Sequence, residues 1–184
     1  MRKIDSAFNL YQKHIFDLEK INLLHKYNLK VAGSVSSVLW ELFGAILTGK
    51  SGSGLTGSDL QGWEVKSSKI GGSYEYQYHL NSGAEKLNED CRVNHLFCSY
   101  SEEYRDVIVR AIKGSDLAEN FFQSWMPEYV RNYNSDLPAR DRRQRFRKSI
   151  PYGYIAQNAI LILDIRDGCI ISRNDDQLEL LNAT

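Results

Sequence analysis

Within TGSDLQGWEVKSS, residues 56 to 68, an aspartate, a glutamate and a lysine stand at positions 59, 64 and 66. Gln61-Gly62 reads as the turn of a β-hairpin spanning this segment, with glycine supplying a positive φ. Leu60 then closes the turn against Trp63, and Asp59 lies opposite Glu64, a pairing that brings Cβ atoms to about 4.5–5.5 Å. Alternation sends Lys66 to the same face as Glu64, and gathers Leu60, Trp63 and Val65 on the other. Two opposed carboxylates repel and weaken a hairpin. A hard divalent ion reverses that sign, because Mg²⁺ takes oxygen ligands, commonly one or two carboxylates with substrate phosphates. Lys66 is then placed to orient a water or to stabilise charge developing on a phosphate. The bland alternative is a solvated turn whose lysine offsets the acids through ordinary salt bridges.

Asp59 followed by Glu64-Val65-Lys66 resembles the D…E-x-K core of the PD-(D/E)XK nuclease superfamily, to which type II restriction endonucleases belong. An N-terminal helical region, a helix carrying Glu41, a Gly-rich approach, EVKSS and a polar strand with a histidine extend the likeness over the middle third of the chain. The resemblance implies that Asp59 and Glu64 bind Mg²⁺, that Val65 lends its backbone carbonyl, and that Lys66 assists the attacking water. It also implies that Glu41 supports the metal site, in place of being an exposed helix charge. Ser58 stands where the family pattern has proline, and only four residues separate the acids, so both sit on one minimal hairpin. The implied activity is Mg²⁺-dependent hydrolysis of double-stranded DNA at a short specific site, leaving 5′-phosphate and 3′-hydroxyl ends. A homodimer would set two such sites on a palindrome, and a host would need a matching methyltransferase. A MutH-like nickase, a junction resolvase or one subunit of a heterodimeric restriction enzyme would share the same core. A non-catalytic DNA-binding module is the alternative from another class.

Two stretches are suited to holding DNA. ARDRRQRFRK, residues 139 to 148, sets Arg140, Arg142, Arg143, Arg145, Arg147 and Lys148 against Asp141 alone, a net +5 in a chain of zero net charge. Such a cluster neutralises phosphates with counterion release, and arginine forks onto guanine. It reads as a charged helix or loop, unless acidic neighbours such as Asp136 or Glu128 pair it off. In SYEYQYHLN, alternation places Tyr74, Tyr76, Tyr78 and Leu80 on one face and Glu75, Gln77 and His79 on the other. Gln77 can bond adenine bidentately and His79 can meet a base or the scissile phosphate. Ser67, Ser68 and Lys69, just past Lys66, are phosphate contacts by proximity. His14, His25 and His95 are isolated and carry no chemistry in this reading.

The elements that must position these residues follow from periodicity. Ile4, Phe8, Tyr11, Ile15 and Leu18 recur at steps of four and three, which predicts an amphipathic first helix, docked on its own core or serving as a dimer seam. A second helix spans about Ser36 to Leu47. RVNHLFCSY and DVIVRAI read as strands, Ser115 as a helix cap, Pro127 as the start of another helix, and NAILILDIRDGCIIS as a hairpin turning at Asp167-Gly168. The sum is a single α/β domain, a mixed central β-sheet flanked by helices.

GAILTGKS, residues 44 to 51, matches the phosphate-loop pattern, and ILILD, ending at Asp164, would suit its second motif. That loop needs a strand before it and a helix after it. Here the run before it is helical and the run after it is rich in glycine, so the stretch reads as a helix ending at a Gly cap. With 23 basic and 23 acidic side chains no net field draws the chain to polyanions. Three cysteines without a C-x-x-C pair argue for a reducing cytoplasm, and no apolar run of membrane-spanning length occurs. MRKIDSAFNL lacks an apolar signal region, so a cytoplasmic prokaryotic protein without a membrane span is expected.

Overall fold

The computed structural model describes residues 2–54, 57–80, 82–134, 136, 138–141 and 145–183. Helix α1 (Lys3–Leu10) runs into a single π-helical turn, Tyr11–Ile15, and stops at Phe16. Asp17 then caps α2 (Leu18–Lys26) by accepting from the Lys20 N–H at 3.0 Å. The expected first helix therefore breaks before Leu18, which is exposed, while Ile4, Tyr11 and Ile15 bury against the protein's own core. Helix α3 (Ser37–Thr48) ends at Gly49, whose φ of 72° is the left-handed conformation that closes a helix. The phosphate-loop likeness is thus a helix C-terminus.

The remaining elements follow as β1 (Trp63–Lys69), β2 (Tyr74–Tyr78), α4 (Gly83–Asp90), β3 (Asn94–Tyr100), β4 (Val107–Lys113) and α5 (Gly114–Leu117). A π-helical turn at Ala118–Phe122 leads from α5 into α6 (Gln123–Asn132), followed by β5 (Phe146–Ile150), α7 (Tyr152–Asn158), β6 (Ile160–Arg166), β7 (Cys169–Arg173) and α8 (Asp175–Asn182). Five strands form one mixed sheet in the order β1-β3-β4-β6-β7, with β1 parallel to β3 and the other neighbours antiparallel. Strands β2 and β5 pair antiparallel as a separate ribbon. The fold is α/β, a mixed central sheet flanked by helices. Among the described residues no helix is long and apolar enough to cross a membrane.

Three local expectations need correction. Lys113, not Ser115, precedes the helix, and Pro127 lies inside α6 instead of opening it. The π turn makes one continuous helical run, and its extra residue keeps Leu117, Ala118, Phe122, Trp125 and Tyr129 buried together. The basic segment is neither helix nor simple loop: Ala139–Asp141 is a short 3-10 turn and Phe146–Ile150 is a strand. Phe146 and Ile150 are the reason, since both ends of the strand bury their side chains while Arg147 and Ser149 face out.

The sheet separates two interiors. On one side α1 and α3 pack Ile4, Trp40, Phe43 and Leu47 on Trp63, Val65 and Leu96. On the other, the tyrosines of β2 join Phe97, Phe122, Trp125 and Tyr129. Strand β1 divides the two, and its registers Glu64 with His95 and Lys66 with Phe97 put Glu64 and Lys66 on the aromatic side.

Candidate active site

The turn at Gln61-Gly62 forms as expected. Leu60 N–H bonds to the Trp63 carbonyl at 2.9 Å, Trp63 N–H bonds back to Leu60 at 3.0 Å, and Gly62 has φ 76° between them. On its outer side the turn is held by the Gly-rich approach, with Gln61 N–H on the Ser51 carbonyl at 2.9 Å. The expected hairpin is, however, only this one bridge long. Thr56 lies outside the described residues, and Gly57 to Asp59 form a bend, not a strand. Side chains take over where the ladder stops: the Asp59 carboxylate accepts from Val65 N–H at 2.9 Å, and Asp59 N–H reaches Glu64 Oε2 at 3.3 Å. The two acids therefore meet through side-chain bonds, Glu64 to the Asp59 backbone and Asp59 to the backbone of Val65, and not through direct strand pairing.

Glu64 is buried, 2% exposed, with both oxygens engaged. Lys66 Nζ is 2.5 Å from Oε1 and Lys86 Nζ, from α4, is 2.7 Å from Oε2. Lys66 also lies 5.0 Å above the Tyr76 ring. Lys86 forms a second ion pair with Asp90, one turn along its own helix, and Asp90 accepts the Tyr78 hydroxyl at 2.9 Å. The Asp90 carbonyl can only accept, so His95 Nε2, 2.7 Å away, carries the proton. His95 Nδ1 then accepts from the Tyr76 hydroxyl at 2.9 Å.

Electrostatics follow from this packing. Burial alone would raise the Glu64 carboxyl, but Lys66 and then Lys86 hold it down at about 2. Burial, and then Glu64 beside it, push Asp59 above the ordinary range. Burial, and then the charge of Asp59, raise the Glu41 carboxyl. Burial opposes the charge on Lys66, yet Glu64 and Asp59 outweigh it and keep the ammonium protonated. Asp90 rises to about 6 through burial, against the pull of Lys86. Helix α3 packs tightly on β1 at Gly44, one turn on from Glu41, where a Cβ would sit 2.8 Å from Val65 Cγ2.

Among the described residues no group of three or more His, Cys, Asp or Glu side chains is disposed to hold a metal ion. A cation would rest on a smaller oxygen set. Asp59 Oδ1 accepts no hydrogen bond among the described residues, and Glu64 Oε2 lies beside Asp59. Val65 N–H points at Asp59, and in an extended strand its carbonyl leaves by the same edge. These donors are all hard oxygens, in the number Mg²⁺ commonly takes from protein, so the residues fit the ion by type.

The expected DNA contacts are scattered. Ser67 and Ser68 are half-buried at the exit of β1, and Lys69 is exposed and paired with Glu102 at 2.9 Å. Gln77 and His79, 3.3 Å apart at their Nε2 atoms, line a cleft of about 610 Å³ together with Gly57, Lys86 and Arg92. Arg147 is the register partner of Gln77 across the ribbon, and lies 3.8 Å from Glu75. Lys148 is spoken for by Glu128 at 2.7 Å, and Arg140 stands 3.9 Å from Asp141. Arg145 is exposed, while Arg142 and Arg143 lie outside the described residues. Lys86, Asp90, Tyr76, Tyr78 and His95 are the site residues that sequence reasoning missed. Lys86 and Asp90 share only an i,i+4 spacing, which is common on solvated helices, and the tyrosines signalled no more than a half-buried strand. No family model and no curated protein matches the chain.

Proposed function

We propose that the chain is a Mg²⁺-dependent endonuclease of the type II restriction class, acting on duplex DNA in the prokaryotic cytoplasm as a homodimer. One observation carries this reading: a single tight turn brings Asp59 and Glu64 together beside a lysine that their charges keep protonated. Asp59, Glu64 and the Val65 carbonyl would hold the ion, which supplies Lewis acidity toward the phosphoryl oxygens. Lys66, being charged, is a donor and a stabiliser of developing negative charge, not a general base. Glu41 adds negative charge that favours a cation at the acid pair. The cleft beside Lys86, lined by Gln77 and His79, is where the strand to be cut would enter.

Incubation of the purified protein with supercoiled plasmid and Mg²⁺ tests the proposal. Discrete linear fragments with constant ends are expected, and sequencing those ends gives the recognition site. Nicked circles alone would indicate a nickase or the lone subunit of a heterodimer, and intact plasmid under all divalent ions would overturn the reading. Glu64→Ala should remove cleavage and leave DNA binding largely in place; unchanged behaviour would point to a non-catalytic binding module.

A further inference from the structure

Both oxygens of Glu64 are held by ammonium groups, and Oε2, the one beside Asp59, also accepts from Asp59 N–H, so its two lone-pair sites are taken and a cation at Oε2 must displace Lys86. The two lysines are not equivalent. Lys66 belongs to the same strand as Glu64 and is packed over the Tyr76 ring. Lys86 comes from α4, has a second acid in Asp90 to keep it, and lines the open cleft beside Gln77 and His79. The Glu64 and Asp90 side chains are 3% and 0% exposed and those of Lys66 and Lys86 are 20% and 18% exposed, so exposure does not separate the lysines; the second acid and the place in the cleft lining do. Carboxylates this deeply buried are strongly destabilising without a counter-charge, which gives the lysine a reason to be there when no metal is bound.

Resting on the metal-dependent reading above, we propose that Lys86 is an internal counter-ion for the metal site. It neutralises Glu64 in the metal-free fold and yields Oε2 to an incoming divalent cation. It then stays tethered to Asp90 at the mouth of the cleft, where its charge is available to a phosphate. Lys86 is in this sense a positioning residue: it sets when Glu64 becomes a ligand. Metal alone must compete with the ammonium and binds weakly, whereas a phosphate that draws Lys86 into the cleft makes metal binding easier.

The test is Mn²⁺ binding to the full chain without DNA, read from loss of the free-ion electron paramagnetic resonance signal. Lys86→Met should tighten Mn²⁺ on the order of tenfold, a usual size for one coupled contact. Lys86→Arg should restore wild-type affinity. Because Lys86→Met strands Asp90, the double variant Lys86→Met/Asp90→Asn keeps the buried charge balanced, and it should show the same tightening if the single variant does not fold. Glu64→Gln serves as the reference. Loss of Mn²⁺ binding in Glu64→Gln, with equal or weaker binding in the Lys86 variants, overturns the counter-ion role and leaves the metal reading standing. Undiminished Mn²⁺ binding in Glu64→Gln, or no binding by any form, overturns the metal reading and this inference together.

Discussion

Strand β1 has the same backbone on both sides and two different interiors against it. Trp63 and Val65 face a dry core in which α1 and α3 contribute aliphatic and aromatic side chains with few polar atoms. Glu64 and Lys66 face an aromatic core in which each tyrosine of β2 delivers a ring to the packing and a hydroxyl to a buried partner. Tyr74 meets Ser99 at 2.5 Å, Tyr76 meets His95 at 2.9 Å and Tyr78 meets Asp90 at 2.9 Å. The dry side fixes where the strand lies; the polar side fixes where its charges point. Buried polar groups are tolerated only when each has a partner, and here the partners are supplied by tyrosines, which also fill space.

The sharpest way to break this comparison is to change adjacent residues of β1 that face opposite ways. Glu64→Ala should lower cleavage on the order of 10³-fold, with the folded fraction checked by circular dichroism. Val65→Ala, one position on, should lower thermal stability but leave cleavage per folded molecule nearly intact. If both variants lose cleavage alike, the two faces are not functionally distinct.

Within the dry side, Leu96 is fully buried beneath Gly44 of α3. Leu96→Ala leaves a cavity and should cost about 2–5 kcal/mol of unfolding free energy, measured by denaturant titration. The polar side should respond to pH instead. Burial lowers His95 to about 4 from an ordinary 6.5, and its neutral form is the one that accepts the Tyr76 proton. Between these two values the unfolded chain binds the extra proton, so stability falls as pH drops from 6.5 to 4 and is fully present above that window. The effect is about 1.4 kcal/mol per pH unit where it is steepest, roughly 3 kcal/mol in all. Asp90, raised to about 6, acts in the opposite sense over part of the range. The contrast between wild type and His95→Gln isolates the histidine: the variant should lose this acid-side decline. A smaller loss is expected from Tyr78→Phe, which removes one donor from buried Asp90 and should cost about 1–3 kcal/mol, with Tyr74→Phe as a control away from the charges.

What the sequence revealed divides along the same strand. Elements set by local pattern were legible: the Gln61-Gly62 turn, the helix ending at Gly49, the alternating strands and the Asp167-Gly168 hairpin all rest on short-range chemistry. The break before Leu18 and the continuous helix through Pro127 were not, because each depends on a π turn selected by distant packing. The candidate site splits likewise. Asp59, Glu64 and Lys66 lie within one turn and could be read together. Lys86 could not, since α4 shows only Gly83, Leu87 and Asp90 buried and its meeting with β1 is purely tertiary. Alternation separated the tyrosines from Gln77 and Glu75 correctly, yet gave no sign that β5 would be their partner, because pairing across so long a separation leaves no local trace.

The ribbon formed by β2 and β5 supplies the smallest expected effect and a test of how far the polar side extends. Lys148 and Glu128 form a surface pair, their side chains 25% and 52% exposed. Such pairs contribute about 0–1 kcal/mol, so Lys148→Gln should leave the melting temperature nearly unmoved. Its consequence for DNA should be separable from stability. If the ribbon tracks the phosphate backbone, the dependence of DNA affinity on salt should weaken by about one counterion in this variant. Glu128→Gln, which frees the ammonium, should leave the salt dependence in place or steepen it. An identical salt slope for wild type and Lys148→Gln would confine DNA contact to the cleft beside Lys86. The basic segment would then be a solvated rim whose charges are neutralised by Glu75, Glu128 and Asp141, the neighbours already within reach of Arg147, Lys148 and Arg140.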